Sequence, residues 1–247
     1  MSRGVADIAP ARLALLNGGS VASATLTEGL AIDFSVLLAA AVPAIGAARL
    51  DQLRAQAAAG ITKRMALAAQ LLLEANADLA LLQAHASDTV RGWVCFAIAA
   101  QTGLTLPQRL ADMRPLADDG HFGVREWAWL ALRPHLAAHL DDAIALLAPW
   151  TADPSERVRR FACEALRPRG VWCAHIARLK EQPQLALPVL HALRADPAVY
   201  VQDSVANWLN DAAKSQPDWV RSLCAQWLQD SAPATQRICK RAQRSLA

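Results

Sequence analysis

The stretch "VREWAWLALRP" at 124–134 returns 34 residues later as "VRRFACEALRP" at 158–168, and this repetition decides the fold. Related segments begin at Val90 ("VRGWVCFAIA") and Val201 ("VQDSVANWLND"), and a fainter copy, "RICKRAQRSL", begins at Arg237. Their apolar residues recur at i, i+4 and i+7, which is the spacing of one face of an α-helix. The segments therefore predict one helix that is repeated along the chain.

Helix-start signals precede the four main copies. Pro154 and Pro197 lie where a proline is tolerated in a first helical turn, and further helical patterns lie between the copies. Each unit therefore reads as a helical hairpin of roughly 35–45 residues, a size typical of HEAT-type repeats. The candidate N-cap residues are Ser87, Asp118, Asp153 and Asp196.

These patterns predict an all-α, HEAT-like solenoid, a right-handed superhelix with a concave face, as one domain over 1–247. Residues 1–80 are expected to form N-terminal capping helices and 81–247 the repeats. The abundance of Ala and Leu supports helices, because these side chains lose little rotamer freedom in them. Matched small residues of the two quoted copies are expected to pack between repeats: Val124, Ala128, Ala131, Val158, Ala162 and Ala165.

The charge is unevenly distributed along the chain. Residues 151–247 hold 14 Lys and Arg against 9 Asp and Glu, a net charge of +5, although the whole chain carries only +3. A basic C-terminal part favours a polyanionic partner such as nucleic acid, although such an excess is also common on ordinary protein surfaces.

The cysteines and the apolar segments indicate the compartment. The five cysteines are scattered without a paired motif, so a reducing cytoplasm is expected. The most apolar run, "VLLAAAVPAIGAA", is interrupted by Pro43 and is too short to span a bilayer. No signal-peptide pattern is present at the N-terminus, and no membrane role is predicted.

Three successive repeat helices each carry a carboxylate beside aromatic or basic residues: Glu126, Glu164 and Asp211. On a solenoid, all three carboxylates could face one concave surface. The alternative is that they belong to solvated faces and local ion pairs, which is the usual fate of charges on helices.

Longer motifs resemble a known family. The segment "VRRFACEALRPRGVW" at 158–172 is similar to the VRR-x-A-x-E-x-x-RPR-x-x-W signature of the AlkC/AlkD superfamily of bacterial DNA-alkylation-repair glycosylases, in its AlkC branch. The segments "SVANWLNDAAKSQPDWV" at 204–220, "LNGGSVASATLTEGLAIDF" at 16–34 and "VREWAWLALRP" at 124–134 resemble the same branch. The resemblance extends over most of the chain.

The resemblance implies a monofunctional glycosylase on a HEAT-like scaffold that removes positively charged methylated bases, such as 3-methyladenine and 3-methylcytosine, from double-stranded DNA. It implies no cofactor and no metal, and a monomer is expected. Its catalytic carboxylates would be Glu126, Glu164 and Asp211. The DNA-binding residues would be Arg125, Trp127, Arg159, Arg160, Arg169, Trp172 and Lys214.

The implied chemistry suits these residue types. An alkylated, cationic base is already a good leaving group, so no general acid is needed. A carboxylate in a site with little water stabilises the oxocarbenium-like sugar and places a water for attack. A flat ring such as that of Trp127 or Trp172 would pack on the sugar or the cationic base, and arginines would hold backbone phosphates.

The chain departs from the family pattern at a few positions, so two alternatives stay open. Gly170 and Val171 stand where the family tends to have Leu-Pro, Gln202 and Asp203 replace a basic pair, and Lys240 replaces a histidine. One alternative is a catalytically inactive paralogue that binds DNA structures. The other is a HEAT-repeat scaffold that binds a protein partner.

The motif "HLAAH" at 135–139 has the histidine spacing of a candidate metal site. His135 and His139 have the i, i+4 spacing of a zinc-binding helix. The glutamate that such a helix needs after its first histidine is Leu136 here, so no metal site is predicted.

Overall fold

The computed structural model describes residues 4–230 and 232–246, and this part of the chain forms helices and no strand. The prediction of an all-α, helical-repeat fold is confirmed. Two compact units are present, Met1–Ala131 and Leu132–Ala247, and the single domain stays a prediction. In the described residues the α-helices are α1 Pro10–Asn17, α2 Leu26–Ala31, α3 Phe34–Ala41, α4 Ala47–Ala55, α5 Ile61–Glu74, α6 Leu79–Gln83, α7 Asp88–Ala100, α8 Leu106–Ala117, α9 Phe122–Ala138, α10 Leu140–Leu147, α11 Glu156–Glu164, α12 Ala177–Glu181, α13 Leu187–Leu193, α14 Val199–Ala213, α15 Pro217–Trp227 and α16 Pro233–Ala242.

The repeated segments lie in α7, α9, α11, α14 and α16, as their spacing predicts. In the first unit α7 packs on α5, and in the second unit α14 packs between α11 and α16. Small side chains on the packed faces allow the helix backbones to approach closely. The valines that begin the four main copies have no exposed surface: Val90, Val124, Val158 and Val201.

An arginine follows the first valine of three copies and ties its helix to the loops around it. In the first unit, Arg91 Nη1 donates to the carbonyls of His85 and Ala86, at 2.6 and 3.1 Å. Arg91 Nε and Nη2 donate to the carboxylate of Asp119 at 2.8 and 3.2 Å. One guanidinium therefore holds both the loop before its own helix, α7, and the loop before α9, which is the next copy of the repeated helix.

Arg159 repeats this arrangement in the second unit. Its Nη1 donates to the carbonyls of Asp153 and Pro154, at 2.9 and 3.0 Å. Its Nε and Nη2 donate to the carboxylate of Asp196 at 2.7 and 3.0 Å, and these bonds raise the pKa of the guanidinium. Four of its five N–H groups are thus used within the protein, which leaves one for the predicted phosphate contact.

The other two main copies, in α9 and α14, make hydrogen bonds to backbone carbonyls at the same sequence offsets. Arg125 donates to the carbonyls six and five positions before it, at 2.8 and 3.0 Å. Gln202 occupies the equivalent position in α14 and donates to the corresponding carbonyls at 2.8 and 3.5 Å. The shorter amide keeps the contact with the preceding loop, which accounts for the glutamine at this position.

The loop residues before α11 and α14 differ in role from the prediction. Pro154 and Pro197 lie before the N-cap residues, Ser155 and Ala198, and not in the first helical turn. The aspartate before each proline accepts a hydrogen bond from the backbone N–H of that N-cap residue, at 2.9 Å in both loops. These aspartates therefore form Asx turns that shape the loop, and they do not cap the helix directly.

Removing the guanidinium at Arg159 tests the role of these contacts. We expect Arg159→Ala to lower the free energy of unfolding by about 1.5–3 kcal/mol, because it leaves Asp196 buried without its charged partner. The control is Arg54→Ala, which removes an exposed ion pair with Asp51 and should cost less than about 1 kcal/mol. A double-mutant cycle with Asp196→Ala that gave purely additive effects would contradict this role.

Candidate functional site

Two of the three predicted carboxylates meet at one arginine in the second unit. Arg167, just after α11, donates through Nη1 to Glu164 Oε1 at 2.7 Å. Its Nε and Nη2 both donate to Asp211 Oδ2, at 2.9 and 2.7 Å. Because Glu164 ends α11 and Asp211 lies in α14, the guanidinium joins two repeats at their carboxylates.

Glu164 is almost fully enclosed, at 3% exposure. Its Oε2 accepts a hydrogen bond from Ser204 Oγ at 2.6 Å and lies 3.6 Å from Arg160 Nη2. Burial by itself raises the pKa of Glu164, but the charges of Arg160 and Arg167 and the two hydrogen bonds outweigh it, and the pKa lies below its usual value. The side chain is therefore a carboxylate at neutral pH, with both oxygens bonded.

Asp211 is also buried, at 4% exposure, but one of its oxygens pairs with a half-exposed side chain. Its Oδ1 lies 3.2 Å from Lys214 Nζ, and the Lys214 side chain is half exposed. Burial alone lowers the pKa of Arg167, but the charges and hydrogen bonds of Glu164 and Asp211 raise it further than burial lowers it. We refer to Glu164, Arg167 and Asp211 as the carboxylate cluster.

The loop after α11 lies next to the carboxylate cluster. Burial raises the pKa of the Cys173 thiol, and the charges of Arg133 and Arg167 oppose this, so the thiol lies within their reach. The neighbouring Trp172 is about half exposed, at 49%, and its φ of +60° is in the left-handed region. The loop therefore carries a half-exposed ring next to Cys173 in sequence, in a backbone conformation that is unusual for a bulky residue.

Arg133 fixes the backbone beneath this loop. It is 2% exposed and donates to the carbonyls of Ala165, Arg167 and Ala174, at 3.1, 2.5 and 3.0 Å. Burial lowers the pKa of its guanidinium. Arg133 and Arg167 occupy matching positions in the two copies of the repeat, at 124–134 and 158–168. Arg133 nevertheless binds backbone carbonyls, whereas Arg167 binds carboxylates.

The third predicted carboxylate lies in the first unit. Glu126 is half-buried, and its Oε2 accepts a hydrogen bond from Trp129 Nε1 at 2.8 Å. The predicted DNA contact Trp127 is only 8% exposed, 6.1 Å from the Phe96 ring, and a side chain at Gly92 would collide with it. The packing thus leaves Trp127 little surface on which a base or sugar could stack, in contrast to Trp172.

The remaining predicted DNA-binding residues differ in how accessible they are. Arg160 is 9% exposed and lies over the ring of Tyr200, 4.9 Å from its centroid. Arg169 is half-buried and donates through Nη2 to Ser215 Oγ at 2.7 Å, next to Lys214 in sequence. Lys214 therefore contacts the carboxylate cluster at Asp211, and Arg169 contacts the residue that follows Lys214 in sequence.

Sequence reasoning did not single out Arg167, although it joins the cluster. The available signal was its i, i+3 spacing from Glu164 at the end of a helix, which places the two side chains together. The bond from Arg167 to Asp211, 44 residues away, depends on how the repeats pack, and no local spacing predicts it.

Neither a metal site nor a membrane span is found in the part of the chain that the structure describes. No three His, Cys, Asp or Glu side chains are grouped there in a way that could hold a metal ion. Across the same residues, every helix is too short or too polar to cross a bilayer.

Part of the chain matches a known protein family. Residues 124–242 match the family of DNA alkylation repair enzymes. The uncharacterized protein YhaZ of Bacillus subtilis (strain 168) is 41% identical over 75 residues, which are 30% of this chain and 21% of YhaZ. The chain therefore spans about a fifth of that curated relative.

Solved structures with a similar fold extend the match. The Pseudomonas fluorescens alkylpurine DNA glycosylase AlkC, bound to DNA containing an abasic site analog, aligns with a TM-score of 0.70 and 29% identity. The alignment covers 86% of this chain and 60% of AlkC. Two Streptococcus mutans structures, smu.31 and AlkD2, share the fold at 21% identity and a TM-score of 0.57, covering 80% of this chain and 90% and 88% of theirs. The family match over residues 124–242 and the shared fold are consistent with the AlkC/AlkD superfamily, and among these three structures AlkC aligns with the highest TM-score.

Proposed function

We propose that the chain is a monofunctional DNA glycosylase that hydrolyses the N-glycosidic bond of positively charged alkylated bases, such as 3-methyladenine and 3-methylcytosine, in double-stranded DNA. The observation that carries the proposal is the carboxylate cluster, which is followed in the chain by the half-exposed ring of Trp172. The similarity to an alkylpurine DNA glycosylase that was solved with DNA supports the same class of reaction.

Asp211 is the carboxylate in the second unit that is best placed to act on the sugar. Its Oδ1 faces the half-exposed Lys214, whereas both oxygens of Glu164 are bonded inside the protein. As the cationic base leaves, a nearby carboxylate stabilises the positive charge on the sugar and accepts a proton from the attacking water. Glu164 acts through Arg167 as a positioning residue that holds Asp211 in place. Glu126 is proposed as a third carboxylate of the reaction.

Trp172, Arg169 and Lys214 would hold the substrate. The exposed ring offers a face for the deoxyribose or the cationic base. Arg169 and Lys214 offer N–H donors to backbone phosphates, which position the strand without reading its sequence. Arg125, Arg159 and Arg160 remain predicted phosphate contacts, and the first two would have to share their donors with the loop carbonyls.

The function is tested by base release from duplexes that carry 3-methyladenine, 3-methylcytosine or 7-methylguanine, with an undamaged duplex as the control. We expect free base and an unbroken strand with an abasic site, because a monofunctional enzyme does not cut the backbone. If the protein binds DNA and releases no base, the inactive DNA-binding paralogue is the correct reading. If it neither binds DNA nor releases base, the scaffold for a protein partner is favoured.

The exposed tryptophan can be tested separately from stability. We expect Trp172→Gly to slow base release by about tenfold or more, since stacking on an aromatic ring contributes about 1–3 kcal/mol per base. Glycine accepts a φ of +60° without strain, so the melting temperature should not fall. The matched control is Val171→Ala, which shortens a neighbouring exposed side chain of the loop and should leave base release unchanged. A loss of activity that followed a loss of stability would contradict this role.

A further inference from the structure

The last helix, α16, has two faces of opposite character. Its buried face packs against α14 and carries small and apolar residues: Thr235, Ile238, Cys239 and Ala242. Its outer face carries three cations at i, i+3 and i+4, which are Arg237, Lys240 and Arg241, and a fourth, Arg244, lies in the turn that follows the helix. The same spacing thus generates a packed stripe and a basic stripe on one helix. We call these four residues the α16 basic face.

Polar residues of α14 hold the arginines of this face in place. Asp203 Oδ1 lies 2.7 Å from Arg237 Nη2 and 3.0 Å from Arg241 Nε. Arg244 Nη2 donates to Asn207 Oδ1 at 2.9 Å. In the contacts described for the face, Asp203 is the only carboxylate, so four cations meet one negative charge. The arrangement orders the arginines and leaves the face strongly positive.

We propose that the α16 basic face binds the phosphate backbone of duplex DNA, as a contact region additional to the carboxylate cluster and its neighbours. This rests on the proposed function. From Arg237 to Arg241 the helix rises about 6 Å, a length over which one DNA strand carries about two phosphates. Arginine donors that are already ordered lose less side-chain freedom when they bind a phosphate. A regular polyanion fits such a row of charges better than an isolated acidic side chain does.

The test is the salt dependence of binding to an undamaged duplex of about 20 base pairs. In Lys240→Gln/Arg244→Gln, two cations that pair with no carboxylate in the described contacts are removed. The slope of log K against log salt should become shallower by about 1.8, because each phosphate contact contributes about 0.9. Between 50 and 200 mM salt, the loss of affinity should therefore be about tenfold smaller than for the wild type.

The matched control is Arg54→Gln/Lys63→Gln, which removes two exposed cations from α4 and α5 in the first unit. Its slope should equal that of the wild type. A variant slope that matched the control would overturn the α16 contact, even if the wild type released alkylated bases. A shallower slope without any base release would support the contact while the proposed glycosylase activity failed. Far-UV circular dichroism and the melting temperature of each variant show whether α16 stays folded.

Discussion

Replacing Arg167 with methionine is expected to lower the free energy of unfolding by about 3–5 kcal/mol. Methionine is unbranched, shorter and uncharged, so the change removes the guanidinium and keeps an apolar chain in place of the arginine stem. Glu164 and Asp211, at 3% and 4% exposure, would then lie buried beside each other without the partner they share. Leaving a buried charge uncompensated carries a cost of this size, which is a large fraction of the stability of an ordinary domain.

The same substitution should reverse the sign of the pH dependence that Glu164 contributes. In the wild type the pKa of Glu164 is lowered, so its contribution is complete above the unfolded value of about 4.3 and is lost as the pH falls through the folded value. Without Arg167, we expect burial to outweigh the more distant Arg160 and to raise this pKa above the unfolded value. The variant should then gain stability as the pH falls from 7 toward 4.5, where the wild-type contribution is constant.

Urea unfolding of both proteins between pH 4.5 and 7.5, followed by circular dichroism, measures these effects. The control is the variant Glu164→Gln/Arg167→Met/Asp211→Asn, which should regain at least half of the lost free energy because both buried carboxylates are neutralised together with the cation they share. An Arg167→Met variant that was as stable as the wild type, with the same pH dependence, would show that the cluster is more hydrated than its burial indicates.

The repeats made the helices predictable from sequence. The copies at 124–134 and 158–168 repeat buried positions that any helical hairpin needs, so periodicity alone places α9 and α11. Loop roles were harder to predict, because Asp153 and Asp196 satisfy the N-cap pattern and yet form Asx turns. Arg159 shows why: its bond to Asp196 spans 37 residues and depends on the packing of repeats.

The candidate site was predictable in part, for a related reason. Glu164 and Asp211 differ from the repeat pattern by their charge, and a position that breaks a repeat is visible in sequence. Their shared partner Arg167 follows the pattern, because it matches Arg133 in the previous copy, and so a comparison of the copies does not distinguish it. Burial was equally hidden, since Trp127 and Trp172 both stand near charges while only the second is exposed.

Among the carboxylates, Asp211 should show the largest effect on the reaction. We expect Asp211→Asn to slow base release from alkylated duplex DNA by at least about a hundredfold, the scale of a lost general base or of a lost electrostatic partner. The amide keeps the shape of the side chain and can still accept one hydrogen bond from Arg167. Binding of the duplex should therefore change little. The matched control is Asp218→Asn in the first turn of α15, whose carboxylate is 93% exposed and pairs only with Arg221 in the described contacts.

Glu164→Gln distinguishes a positioning residue from one that touches the sugar. Because Glu164 is enclosed and acts through Arg167, its amide variant should lower both stability and kcat, while the KM for the duplex stays near that of the wild type. Single-turnover base release is measured at a temperature where circular dichroism shows all variants folded. If Asp211→Asn then retained more than a tenth of the wild-type rate, the sugar would not depend on this carboxylate. Glu126, the most exposed of the three predicted carboxylates, would become the residue to replace next.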